Sequence, residues 1–242
     1  MTYNQIVRAG SACPLFAALG LATTLTFTAC EEKKKQDGAT APAATETQQT
    51  SQEAAVPPPT TLTDSRDSKT YKTVKIGNQT WMAENLNFEA KGSKCYDDKP
   101  DNCQTYGRLY NWNTAMKACP SGWHLPSKDE WQTLENFVGD GDAKKLKAKS
   151  GWSPDDEKKD GNGTDNYGFS ALPGGEWTDY CADVCDSSDV GFINVGSFGY
   201  WWTATNGGAY GAYFRRMENF SDSVSDFDYD EASLFSVRCL QD

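Results

Sequence analysis

The chain has 242 residues and a net charge of −11 at pH 7. The length allows one or two domains, and the acidic charge argues against nucleic-acid binding, because contact with the phosphate backbone needs clustered Lys and Arg. All eight Trp lie between Trp81 and Trp202, so the residues before Trp81 differ in kind from the rest of the chain.

Residues 1–29 have the pattern of a secretory signal peptide. An apolar run with many small residues, 14–29, is shorter than the roughly 20 apolar residues of a membrane span. It ends in Phe-Thr-Ala and is followed by Cys30, an ending that resembles the lipobox of bacterial lipoproteins. The resemblance implies diacylation of Cys30 and, with Glu31 next, an outer-membrane or cell-surface location. The alternative is a signal peptide that is cleaved without lipid attachment.

Residues 30–63 are predicted to be a disordered tether. The segment has no aromatic residue and almost no large apolar residue, so it cannot bury enough surface to offset the entropy of its chain. Its mean reach is roughly 30 Å. Together with the lipid on Cys30, such a tether would hold a folded domain, residues 64–242, clear of a membrane surface.

The predicted mature domain contains an even number of cysteines, which in an exported protein indicates disulfides. They are Cys95, Cys103, Cys119, Cys181, Cys185 and Cys239. Proximity in sequence favours Cys95 with Cys103 and Cys181 with Cys185, which leaves Cys119 for Cys239. A metal or redox role for Cys181 and Cys185 is the alternative. It is disfavoured because their spacing is Cys-x-x-x-Cys and the chain has a single His.

Local patterns predict a β-hairpin and a first helix at the start of the domain. Alternating residues on either side of Gly77 and Asn78 indicate two strands joined by a tight turn. Residues 105–119 place Leu109, Trp112, Met116 and Cys119 at helical spacing, which predicts a helix with one apolar face.

The densest group of polar residues, 124–130, is predicted to be structural. Ser127 and Glu130 form a Ser-x-x-Glu capping box for a second helix, and Asp129 lies in its first turn. His124 would need a nucleophile or an orienting carboxylate to act in catalysis. We expect it to be a packed, hydrogen-bonded residue, and we expect no catalytic residue in this stretch.

The last third of the chain is predicted to form loops and short closing strands. The stretches 199–205, 212–217 and 234–240 are rich in aromatic and β-branched residues. Asp226, Asp228 and Asp230 would share a strand face, but the pattern fails the EF-hand requirements. These acidic residues are predicted to be solvated, and no metal or other cofactor is expected.

Five blocks of the chain, in order, resemble the Fibrobacter succinogenes major paralogous domain family of exported bacterial proteins. They are residues 64–88, residues 95–134, "DNYGFSALPGG", "GYWWTAT" and "FSVRCL". More distantly, "WHLPSKDEW", "GFSALPGG" and "FSVRC" resemble the formylglycine-generating enzyme group. The second resemblance implies a C-type-lectin-like fold in which Cys119 on the first helix pairs with Cys239 on the last strand. The reactive cysteine pair of that enzyme group and the calcium and sugar motifs of C-type lectins have no counterpart here.

The sequence therefore predicts an α+β, C-type-lectin-like domain with two helices, short antiparallel strands, long loops and disulfides. The preferred function is a non-catalytic binding or adhesion module at the cell surface, for a polysaccharide or a surface protein. An exported enzyme of unknown activity is the alternative. The candidate ligand contacts are aromatic side chains able to stack on a sugar ring: Trp201, Trp202, Tyr180 and Tyr210. Trp201 and Trp202 are neighbours on a predicted strand and should face opposite sides, so one of them should pack inside. The other is either exposed to a ligand or covered as well, and both alternatives stay open.

Overall fold

The structure is a computed structural model that describes residues 60–179 and 191–242. These residues form an α+β domain. The α-helices are α1 (Pro100–Tyr106), α2 (Trp112–Ala115), α3 (Lys128–Val138) and α4 (Asp142–Leu146). The strands are β1 (Thr60–Thr63), β2 (Thr70–Ile76), β3 (Gln79–Met82), β4 (Leu109–Tyr110), β5 (Trp123–His124), β6 (Glu176–Thr178), β7 (Gly191–Ile193), β8 (Phe198–Asn206), β9 (Ala212–Glu218), β10 (Ser225–Tyr229), β11 (Phe235–Ser236) and β12 (Leu240–Gln241).

The strands of the described residues form two five-stranded sheets, and β6 and β7 form a smaller two-stranded sheet. The first sheet has the order β1-β2-β3-β12-β5, and the second has the order β10-β9-β8-β11-β4. The short segment from β11 to β12 passes from the second sheet to the first. Its side chains, among them Arg238, therefore lie where the two sheets meet.

The predicted hairpin is confirmed as β2 and β3. Their register pairs Ile76 with Gln79, which leaves Gly77 and Asn78 as a two-residue turn. Gly77 has a φ of 59°, a conformation that costs little only for glycine. Val74 and Ile76 of β2 lie in the core, while Lys72 and Lys75 are exposed.

The predicted second helix is confirmed as α3. The Ser127 side chain accepts from the Glu130 backbone N–H, and the Glu130 side chain accepts from the Ser127 N–H, which completes the capping box. Trp131, Leu134 and Val138 are buried along one face. This face packs α3 against the second sheet.

The prediction of one continuous helix over residues 105–119 is wrong. Thr105 and Tyr106 end α1, Leu109 and Tyr110 form β4, which pairs with β11, and the helix that follows, α2, covers only Trp112–Ala115. Asn111 begins α2, since its side chain accepts from the Thr114 N–H, so the helix cannot extend back to Leu109. Met116 is exposed. Sheet pairing outweighed a helical spacing of apolar residues. The described residues hold four short α-helices where two were predicted, and Cys119 lies outside them.

No helix within the described residues is long and apolar enough to cross a membrane.

Candidate functional site

Of the two alternatives for Trp201 and Trp202, the structure shows the one in which both side chains are covered, so neither is the predicted ligand contact. The two side chains do face opposite sides of β8, but each side is covered, and both residues have 0% exposure. Trp201 packs with Trp131 of α3 on one face, while Trp202 packs with Phe235 in a second cluster on the other face. Each indole also donates a hydrogen bond, Trp201 to Asn85 Oδ1 and Trp202 to the Tyr110 carbonyl. Neither ring can stack on a ligand in this structure.

Several predicted site residues lie outside the described part of the chain. These are Cys30, Tyr180, Cys181 and Cys185. The side chain of Tyr210 is also outside it. The lipid site, the third disulfide and these two ligand contacts stay predictions.

Two predicted disulfides are present. Cys95 is bonded to Cys103, which attaches the segment before α1 to that helix. Cys119 is bonded to Cys239 across a sequence separation of 120 residues. The second bond fixes the segment between the two sheets to the chain that follows α2.

His124 is hydrogen-bonded between two carboxylates. Its Nδ1 lies 2.7 Å from Asp242 Oδ1, and its Nε2 lies 3.0 Å from Glu130 Oε1. Burial of the ring lowers its pKa, but the hydrogen bonds with Asp242 and Glu130 outweigh that effect and raise the pKa above its ordinary value. The Ser127 hydroxyl is bonded to Glu130 and not to the imidazole, so these residues do not form a nucleophile and base pair. This geometry fits the predicted structural role.

Two of the three acidic residues predicted to share a strand face, Asp226 and Asp230, have partners within the fold. Asp226 forms ion pairs with Lys128 and Arg215, and the hydrogen bond from Lys128 lowers the pKa of its carboxyl. Asp230 accepts from the Ala232 N–H. Asp226 is thus less solvated than predicted. Within residues 60–179 and 191–242, no group of three or more His, Cys, Asp or Glu is placed to hold a metal ion.

A group of exposed and half-buried aromatic residues lies on the second sheet, and sequence reasoning missed it. Cross-strand pairing puts Phe198, Arg216 and Phe227 on one face of β8, β9 and β10, and Phe220 follows just beyond β9. We call these four residues the aromatic strip. Phe220 is 61% exposed and Phe227 is 42% exposed. Three neighbouring strands span about 10 Å, so the strip is wide enough for an extended ligand.

Ring contacts hold the aromatic strip in place. Phe220 meets Phe198 edge to face at 5.8 Å, and Phe227 contacts the buried ring of Phe214 at 5.9 Å. The Arg216 guanidinium lies 5.6 Å from the centroid of Phe198 and 4.5 Å from that of Phe227. Such cation–π contacts fix the arginine between the two rings.

Charge on the aromatic strip is balanced. Arg216 Nη2 is 2.5 Å from Glu218 Oε1, while Arg216 Nε is buried and has no hydrogen-bond partner among the described residues. Close by, Glu176 accepts from the Asn194 amide and is hydrogen-bonded to Tyr200. Burial raises the pKa of Glu176 above its ordinary value. The strip therefore offers aromatic rings with a neutralised polar pair between them.

A buried polar hub lies where the two sheets meet, and Asn85 is at its centre. Asn85 Oδ1 accepts from Trp201 Nε1 at 2.9 Å and from Arg238 Nη2 at 2.7 Å. Its amide donates to the Tyr106 carbonyl and to Ser236 Oγ. A single side chain thus connects the end of α1, the core of β8 and the segment between the sheets.

Arg238 completes the hub without a carboxylate partner among the described residues. It is fully buried, and its Nη1 donates to the carbonyls of Met82 and Phe169. Burial lowers the pKa of Arg238 to about 9, so the guanidinium remains charged at neutral pH. Its partners are all neutral oxygen atoms, since the hydrogen bonds from Nε and Nη2 both end on Asn85.

Residues 74–241 match the family model described as the Fibrobacter succinogenes major domain. The chain belongs to this family. No curated protein matches the chain, and no solved structure matches it.

The family domain begins inside β2 and ends at the last residue of β12, so both five-stranded sheets fall within it except for β1 and the first residues of β2. Residues of all five blocks that carried the resemblance meet at the polar hub of the family domain. They are Asn85, Tyr106, Phe169, Trp201 and Arg238. The contact between Asn85 and Arg238 could not be predicted from the sequence, because 153 residues separate them.

Proposed function

We propose that this chain is a lipid-anchored protein of the bacterial cell surface that acts as a non-catalytic binding module for a neutral carbohydrate. The observation that carries the proposal is the aromatic strip. Two of its rings, those of Phe220 and Phe227, are exposed and held by their neighbours, which suits stacking against the apolar face of a sugar. The Arg216–Glu218 pair beside them supplies donors and acceptors for hydroxyl groups.

The charge of the protein favours a neutral ligand over an acidic one. The chain carries a net charge of −11, which repels an anionic polymer at a distance. Arg216 is neutralised by Glu218, so the strip itself offers no excess positive charge. Binding should consequently change little between low and high salt.

The strip can be tested by binding assays on a glycan array, insoluble cellulose and peptidoglycan. We expect Phe220→Ala and Phe227→Ala each to weaken binding roughly tenfold, the scale of one lost aromatic contact. Phe137→Ala is the matched control, because Phe137 is 56% exposed on α3 and is not part of the strip. Retained affinity in both strip variants, or capture of a protein partner with no glycan bound, would contradict the proposal.

The anchor rests on the resemblance of residues 27–30 to a lipobox. Its test is metabolic labelling with a radioactive fatty acid, with Cys30→Ala as the variant. We expect label in the wild-type protein and none in the variant. Surface proteolysis of intact and permeabilised cells then distinguishes exposure on the cell surface from a periplasmic location.

The C-type-lectin-like fold is part of the proposal. Its support is the Cys119–Cys239 disulfide, which joins the chain after α2 to the segment before β12. An experimental structure that superposes on C-type-lectin-like domains would bear this out. A different strand order in such a comparison would overturn it and leave the α+β class unchanged.

A further inference from the structure

A cleft of about 530 Å³ opens on the side of the first sheet, and no residue of the aromatic strip lines it. One wall is β2 with residues 83–87, the second is α1, and the third is the loop 168–172. Its volume lies within the range of ordinary small-ligand sites.

The polar hub holds all three walls in fixed positions. Asn85 lines the cleft and donates to the Tyr106 carbonyl at the end of α1, 2.9 Å away. Arg238 donates hydrogen bonds to Asn85 and also to the carbonyl of Phe169, which belongs to the loop of the third wall. In addition, Cys103 on α1 is bonded to Cys95. A ligand would therefore enter a preformed site and would not have to order it.

Four side chains that line the cleft keep polar ends free. The Nζ of Lys72 and the side-chain amides of Asn87 and Gln104 have no hydrogen-bond partner among the described residues. Glu84 uses one oxygen, Oε2, which accepts from the Lys72 N–H at 2.8 Å. Within the described part of the chain, neither Lys72 nor Glu84 forms an ion pair, although they lie on the same wall.

We propose that this cleft binds a short peptide with a free carboxyl terminus. Lys72 would pair with the terminal carboxylate, because it is a free cation at the rim. The amides of Asn87 and Gln104 each present one donor side and one acceptor side, which matches the N–H and C=O groups of a peptide. Glu84 Oε1 would accept from an N–H or ammonium group of the same ligand. The apolar floor, with Val74, Ala83 and Leu172, suits small side chains.

The lining favours a peptide over a sugar. Tyr71 is the aromatic residue of the described lining, and it is 4% exposed. Its hydroxyl accepts from the Asn87 N–H at 3.1 Å, so the phenol is used inside the fold. A sugar would find no exposed ring on which to stack, in contrast to the aromatic strip.

The test uses the full chain and trialanine, together with its C-terminal amide. Binding is measured by calorimetry and located by NMR shifts of the methyl groups of Val74, Ala83 and Leu172. We expect trialanine to shift these methyl groups, and amidation to weaken its binding about tenfold, as for one lost charge-assisted hydrogen bond. Lys72→Ala should weaken the binding of trialanine by the same factor. It should also remove the difference in affinity between trialanine and its amide.

Lys75→Ala is the matched control, because Lys75 is an exposed lysine on the same strand and does not line the cleft. It should leave both affinities unchanged. The proposal is overturned if trialanine shifts none of the three methyl groups, or if Lys72→Ala and Lys75→Ala weaken binding equally. It is also overturned if cellobiose shifts the same methyl groups and binds more tightly than trialanine. These outcomes are independent of glycan binding at Phe220, so the two proposals can fail separately.

Discussion

Replacing Arg238 by methionine removes the charged member of the polar hub and keeps a side chain of similar length. In the wild-type protein the guanidinium makes four hydrogen bonds, two to Asn85 Oδ1 and one each to the carbonyls of Met82 and Phe169. It also lies 4.5 Å from the centroid of Phe169. Methionine can fill the space, but it donates no hydrogen bond.

The loss of stability in Arg238→Met comes from the buried oxygen atoms that lose their hydrogen-bond donor. Asn85 Oδ1 keeps the hydrogen bond from Trp201, so the principal losses are at the two backbone carbonyls. A buried polar group left without its donor costs about 1–3 kcal/mol. Methionine recovers part of this, because the desolvation of a buried cation disappears. We expect a net loss of about 3 kcal/mol in the free energy of unfolding.

Equilibrium unfolding in urea, followed by tryptophan fluorescence with the disulfides intact, measures this loss. Arg238→Lys should be intermediate, since an ammonium group can donate to several of the same oxygen atoms but lacks the planar fork. Lys75→Met is the control at an exposed cation, and it should change the free energy of unfolding by no more than about 0.5 kcal/mol. An Arg238→Met protein as stable as the wild type would refute the reasoning that the hub stabilises the domain.

Two further predictions concern His124 and the disulfides. Burial lowers the pKa of His124, but Asp242 and Glu130 raise it more, so the folded state favours the protonated ring. The resulting stability is fully present below the unfolded pKa of about 6.5 and is lost as the pH rises through the folded pKa. His124→Asn should therefore lower the urea midpoint more at pH 5.5 than at pH 9, and an equal effect at both values would contradict this. Removing the Cys119–Cys239 bond should cost about 2 kcal/mol more than removing the Cys95–Cys103 bond, because it closes 120 residues of chain where the other closes 8. Thermal unfolding of the two double-alanine variants measures the difference, and equal losses would show that loop entropy is not the cause.

Features fixed by neighbouring residues could be predicted from the sequence. The turn at Gly77 and the capping box of α3 depend on contacts within four residues, and both are present. The apolar spacing of residues 105–119 was misleading, because Leu109 is held by a strand from the end of the chain. A pattern of neighbouring residues carries no information on a strand partner that is more than a hundred residues away in the sequence.

Burial of the aromatic residues was also beyond a local pattern. Alternation along β8 correctly separated Trp201 from Trp202, but it gave no information on what covers each face. The same alternation along β9 places Phe214, Arg216 and Glu218 on one side. Only the pairing of β9 with β8 and β10 shows that this side also carries Phe198 and Phe227. The exposed rings therefore could not be distinguished from the buried ones in the sequence.

The contrast between the hub and the aromatic strip links stability to binding in a way that can be measured. Hub residues are buried and share hydrogen bonds, so changing one of them disturbs several elements of secondary structure at once. Phe220 is 61% exposed, and its replacement should alter the free energy of unfolding by no more than about 0.5 kcal/mol. If Phe220→Ala lowers glycan affinity tenfold at unchanged stability, the loss belongs to the surface itself. Should the same variant lose several kcal/mol of stability, Phe220 would be part of the packed structure, and the strip would no longer qualify as a binding platform.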